Sequence, residues 1–143
     1  MYRVLLLCKN GSLLSPIAGV YFRKFAGELP EVYTAGVCKV QLDPLIVDIL
    51  KEDNKEIDIP TPYQLDELRH IDFDYILTLD QESREESLHL PSRPVKYHYD
   101  FDLLIPLDLT KENKEEVYKR VRDKIKNTVR GFVREHFADA KPA

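Results

Sequence analysis

Residues 4–16 read Val4-Leu5-Leu6-Leu7-Cys8-Lys9-Asn10-Gly11-Ser12-Leu13-Leu14-Ser15-Pro16. An apolar run ends on a cysteine, a loop with one glycine follows, and a Ser-Pro pair opens the next segment. The pattern predicts a buried strand, a loop and a helix capped by Ser15 with Pro16 at its first position. Cys8, the only cysteine of the first thirty residues, therefore stands where a strand hands over to a helix N-terminus. Free backbone N–H groups and the helix dipole at such a place gather an anion and favour a thiolate. This is the layout of an oxyanion-binding nucleophile, with one element missing: no arginine follows Cys8 within the loop.

Outward from this stretch, short apolar runs alternate with helical patterns. The strand segments are Tyr2–Cys8, Glu31–Ala35, Phe73–Leu79 and Val95–Tyr99; the helical ones are Pro16–Phe25, Pro44–Lys51, Pro62–Arg69 and Gln81–Leu88. Three of these helices open on a proline behind a capping residue: Ser15-Pro16, Asp43-Pro44 and Thr61-Pro62. After Thr110, the residues Val117, Val121, Ile125, Val129, Phe132 and Val133 recur at steps of three or four except for the last pair, which predicts a long helix with one buried stripe. Strands alternating with helices imply parallel pairing through crossovers. The expected fold is a single doubly wound α/β domain over residues 1–137, a four-stranded parallel sheet with helices on both faces, followed by a tail over 138–143. Ligands of such sheets bind beyond the carboxyl ends of the strands, where Cys8 lies.

The bulk composition narrows the partners. A length of 143 residues with 43% hydrophobic content suits one domain with a sizeable core. A net charge of −4 argues against a nucleic-acid partner or an anionic membrane surface. The apolar run Val4–Leu7 is too short for a signal core or a membrane span. Two cysteines without a secretion signal imply a reducing, cytoplasmic setting and no structural Cys8–Cys38 disulfide. His70, His89, His98 and His136 show no metal-ligand spacing, so neither a metal nor a cofactor is expected. The basic residues between Lys119 and Arg134 read as the solvated face of a helix C-terminal half.

A cysteine-based phosphatase needs a thiolate, a cradle of donors for the phosphoryl oxygens and an acid for the leaving group. Lys9, Asn10, Gly11, Ser12, Leu13, Leu14 and Ser15 supply the cradle through their backbone N–H groups. Gly11 allows the left-handed backbone that a compact nest requires, and Asn10 tolerates it. The hydroxyls of Ser12 and Ser15 are placed to hydrogen-bond the sulfur, and Lys9 adds a point charge.

Cys8 through Ala18 resembles the active-site loop of the low-molecular-weight protein tyrosine phosphatases and their relatives, the thioredoxin-linked arsenate reductases. That pattern is a cysteine, five residues, an arginine and a serine, often followed by Pro-Ile-Ala; here Ser15-Pro16-Ile17-Ala18 keeps its end. Tyr33-Thr34-Ala35-Gly36 resembles the family's segment after its second strand, and Asp72–Leu79 its third strand. His98-Tyr99-Asp100-Phe101 and Val121-Arg122-Asp123-Lys124-Ile125 are closest to the arsenate reductase branch. The resemblance implies Cys8 as nucleophile and an aspartate acid after the last strand. The departures fall on those positions. Leu14 stands in the arginine's place, Leu13 in that of a second cysteine, and Leu103-Leu104 in that of the Asp-Pro acid, with Asp102 one residue early and Asp100 and Asp108 as further alternatives. The stretch Leu77–Ser83 holds no resolving cysteine.

Three readings follow. In the first, the protein is a family member with a degenerate site that binds a phosphate, sulfate or arsenate-like anion at the Cys8 loop, or a protein partner, without catalysis. In the second, it is a divergent cysteine-dependent tyrosine phosphatase or arsenate reductase with Cys8 as nucleophile and Asp102 as acid. In the third, it is a redox protein that pairs Cys8 with Cys38.

Overall fold

β1 (Tyr2–Cys8) runs through the middle of the sheet because both of its faces are apolar. In a computed structural model that describes residues 2–27, 30–38, 41–91 and 93–137, Val4 to Leu7 are fully buried and Cys8 is 2% exposed. Strand alternation sends Val4, Leu6 and Cys8 into the core on one side and Leu5 and Leu7 into the core on the other. A strand covered on both faces has no polar side, which is why its sequence shows a continuous run instead of alternation.

β1 pairs in parallel with β2 (Pro30–Gly36) and with β4 (Tyr75–Thr78). β3 (Tyr63–Gln64) and β5 (Val95–His98) add parallel edge strands, so the sheet is five-stranded with the order β3-β2-β1-β4-β5. The core on one face joins α1 (Leu14–Ala26), α2 (Pro44–Asp53) and α4 (Lys111–His136) through residues such as Ile17, Phe22, Ile49, Val121 and Phe132. On the other face Leu65, Leu68 and Phe73 cover Leu5, Leu7 and Ile76. A short helix, α3 (Gln81–Ser87), follows β4. The strand order reverses between β1 and β4, and the carboxyl ends of these two parallel strands open the crevice where doubly wound folds bind ligands.

α4 forms as its pattern predicts. Thr110 accepts from Asn113 N–H at 3.3 Å while its own N–H donates to the Asn113 side chain at 2.7 Å, a reciprocal cap. Val117, Val121, Ile125, Val129, Phe132 and Val133 are all buried. Several of its basic residues turn to the acidic end of α2: Lys126 lies 3.0 Å from Asp53, and Lys119 and Arg122 lie 3.6 Å from Glu52. The exposed Lys119–Glu52 pair orients the helix more than it stabilises it.

Two expectations are corrected. The sheet has five strands instead of four, because residues 62–69 do not form a helix. Pro62 pushes Thr61 toward extended backbone, and Tyr63 and Gln64 then pair with Ala35 and Gly36 as an edge strand; only Leu65–Leu68 winds, as a 3-10 turn. The second correction concerns the start of α1, which begins at Leu14 with Leu13 in the capping position and no side-chain cap. Leu13 and Leu14 are drawn into the core, 8% and 5% exposed, and the chain coils early to bury them. The expected tail, 138–143, lies outside the described residues.

At residue 36 a side chain has no room. A Cβ there would stand 2.8 Å from the Gly11 nitrogen and 2.9 Å from the Asn10 carbonyl carbon, both backbone atoms. Gly36→Ala is therefore expected to destabilise the protein by about 1–3 kcal/mol. Gly131→Ala, at a helical position with nothing within 4 Å, is expected to stabilise it by about 0.5–1 kcal/mol. Urea denaturation of the two variants checks both signs.

Candidate functional site

The loop between β1 and α1 is held from outside by its carbonyl groups. Cys8 O accepts from Val37 N–H at 2.9 Å, Lys9 O from Cys38 N–H at 2.8 Å and Ser12 O from Asp43 N–H at 3.2 Å. Gly11 takes the turn with φ +65°, and its N–H donates to Cys8 Sγ at 3.2 Å. Lys9 N–H donates to Asp80 Oδ2 at 2.8 Å, while Asp80 Oδ1 accepts from Ser83 N–H at 3.0 Å. One buried carboxylate thus pins the first residue of the loop and caps α3. At the head of α1 the amides of Leu14 and Ser15 have no intrahelical acceptor, and Pro16 has no N–H to offer.

Cys8 is not held as a thiolate in this setting. Burial pushes its thiol above the ordinary value, and the Asp80 carboxylate adds to the rise; the Ser15 hydroxyl and the Ser15 and Gly11 N–H groups oppose it without cancelling it. The Ser15 hydroxyl is fully buried and completes no hydrogen bond. The expected lowering by Ser15 is therefore present in direction and outweighed in size.

A cavity of about 190 Å³ opens over the loop, lined by Cys8, residues 9–14, Asp80, Asp102 and Ile105. The structure thus brings Asp102 to the same cavity as Cys8, carried by the 3-10 turn Phe101–Leu104 after β5. Its Oδ1 is shielded from water and has no hydrogen-bond partner. Asp100 is turned elsewhere: it meets His98 Nε2 at 2.5 Å, and His98 Nδ1 meets Thr78 Oγ1 at 2.7 Å, a chain that ties the ends of β4 and β5 together. Lys9, the one basic residue on the cavity wall among the described residues, is half-exposed and spends its ammonium on Glu82 at 3.0 Å. A larger cleft of about 450 Å³ lies between the loop and the start of α2; its Asp43 is already engaged by Leu45 N–H, Tyr118 and Lys114.

Sequence reasoning missed Asp80 and underrated Gly36. Asp80-Gln81-Glu82-Ser83 carries the capping-box spacing, but nothing local shows that the other oxygen of the cap reaches a loop seventy-one residues away. Cys8 and Cys38 are both free, the first buried and the second exposed. Among the described residues no group of three or more His, Cys, Asp or Glu side chains could hold a metal ion. No described helix is long and apolar enough to cross a membrane.

Comparison with known proteins agrees with this geometry. The family model of the low molecular weight phosphotyrosine protein phosphatase matches residues 3–141. An arsenate reductase of Oceanobacillus iheyensis is 27% identical over 128 residues, which cover 90% of this chain and 92% of that protein. The crystal structure of an arsenate reductase from Archaeoglobus fulgidus superposes with a TM-score of 0.70 at 25% identity, covering 91% of this chain and 98% of its own. An arsenate reductase in the phosphate-binding state shares the fold with a TM-score of 0.71 at 18% identity, over 94% and 98% of the two chains.

Since the pKa of Cys8 is raised, its thiolate fraction at pH 7–8 is below that of an ordinary cysteine and grows only as the pH climbs further. Iodoacetamide at pH 7.5 is expected to alkylate Cys38 first, and Cys38→Ser to leave only the slow phase of Cys8. Mass-spectrometric timing of the two labels decides; faster labelling at Cys8 contradicts the burial argument.

Proposed function

This chain belongs to the low molecular weight phosphotyrosine protein phosphatase family, and we propose that within it the Cys8 loop holds an oxyanion or a protein partner without turning a phosphomonoester over. The carrying observation is the charge around the loop. Leu14, at the position where the resemblance puts the arginine, is 5% exposed and belongs to the apolar core. Among the described residues, the charged groups on the cavity wall are the carboxylates Asp80 and Asp102 and the already paired ammonium of Lys9.

Magnitudes support this reading. Loss of one preorganised donor to a developing oxyanion costs roughly 10²–10³ in rate, and a bidentate arginine supplies charge as well as two bonds. A protonated thiol lowers the rate again, because the thiolate is the nucleophile. What remains is the backbone: the Gly11 and Ser15 amides turned to the sulfur at the head of α1, where no side chain caps the helix. These suit a weakly held phosphate, sulfate or arsenate-like anion. The phosphate-binding relative with the same fold is consistent with that ligand class.

One observation favours a second reading. Asp102 lines the same cavity as Cys8, and its buried Oδ1 has no hydrogen-bond partner. A carboxyl group so placed suits general acid catalysis, which contributes about 10²–10⁴. On this reading the protein is a divergent phosphatase or arsenate reductase with Cys8 as nucleophile.

Turnover of an aryl phosphate separates the two. Wild type and Cys8→Ser are expected to be equally silent, and Leu14→Arg combined with Leu103→Asp to gain activity that Cys8→Ser abolishes. Wild-type hydrolysis that disappears in Cys8→Ser overturns the non-catalytic reading.

A further inference from the structure

Leu103-Leu104-Ile105-Pro106-Leu107 sets five apolar residues in a row beside the Cys8 cavity, and Ile105 forms part of the cavity wall. The neighbouring leucines are left in water: Leu103 is 78% exposed, Leu104 41%, and Leu107 wholly so. Apolar residues on a protein surface are ordinarily scattered singly, and a contiguous cluster beside a cavity marks an interaction site. The charges around this cluster are mostly of one sign. Asp100, Asp102, Asp108 and Glu112 flank it in the sequence against Lys111 and Lys114, and Lys114 is engaged by Asp43. Among the described residues, only Asp100 of these four carboxylates is paired, with His98.

We propose that this leucine rim is a docking surface for a basic amphipathic segment of another protein. The three leucines provide the apolar centre, and the carboxylates form the polar edge that interfaces place around it. Charge complementarity selects the occupant. An acidic or wholly apolar segment would cover Asp102, Asp108 and Glu112 without pairing them, which costs desolvation with no return. A basic one pairs them and is steered to the rim on approach. An anionic bilayer is repelled by the same charges. The proposal is independent of whether Cys8 turns anything over.

The test uses the full-length chain labelled with ¹⁵N, titrated with a synthetic leucine–lysine amphipathic peptide and with its leucine–glutamate counterpart. The lysine peptide is expected to shift the amides of residues 100–112 saturably, and the glutamate peptide to leave them in place. Leu103→Ser combined with Leu107→Ser should weaken binding at least about tenfold. Asp108→Asn combined with Glu112→Gln should lower affinity and its salt dependence, while Leu88→Ser, at an exposed leucine on α3's far end, should change nothing. Equal binding of both peptides, no binding, shifts scattered outside 100–112, or equal loss in Leu88→Ser overturns the proposal. Self-association of the unliganded chain that the double leucine variant abolishes assigns the rim to a second copy and overturns it as well. So does binding to phosphatidylcholine–phosphatidylglycerol vesicles lost in that variant, which assigns the rim to a bilayer.

Discussion

The site depends on a close approach of two backbones. Residue 36, at the end of β2, lies against Asn10 and Gly11 so tightly that a single methyl group would overlap the loop. With the gap closed, Val37 and Cys38 can donate to the carbonyls of Cys8 and Lys9, and the β1–β2 ladder continues past the end of the strands into the loop. The carbonyls are thereby used on the outside. Gly11 then turns through the left-handed region and brings its amide to the sulfur. The cradle of backbone groups is thus a consequence of sheet pairing.

The side chains around this loop set its electrostatics. Two leucines, at the positions where the resemblance puts a cysteine and an arginine, are buried in the core at the start of α1. Asp80 is committed to holding the loop, and its charge works against ionisation of Cys8. Asp102 brings a second carboxylate to a cavity with no free cation among its described lining residues. An anion entering this space meets backbone donors below and like charge at the sides. The relation to phosphatases and arsenate reductases therefore describes the scaffold, and the chemistry has to be argued from these residues.

Much of this was legible in the sequence, for physical reasons that differ from element to element. β1 and α4 announce themselves because their burial patterns are set locally, by a continuous apolar run and by a helical stripe with a good cap. Cys8 was found by its place between strand and helix. The segment from Pro62 was misread because a Thr-Pro pair begins an extended stretch as readily as a helix, and pairing with β2 decided the matter. The cap at Ser15 failed for a related reason: burial of Leu13 and Leu14 outweighed a hydroxyl–amide bond, and Ser15 ended inside the core. The joint placement of Asp80 and Asp102 around Cys8 depends on contacts between distant strands, which no local pattern carries.

The central claim is that the loop retains an oxyanion cradle but lacks the cation that makes one strong. Calorimetric titration of inorganic phosphate into wild type and Leu14→Arg tests it most directly. Charge-assisted hydrogen bonds contribute about 1.5–3 kcal/mol, so the account predicts binding in the millimolar range for wild type and roughly tenfold or more tighter for Leu14→Arg. Micromolar affinity in the wild type, with Leu14 in place, would contradict it.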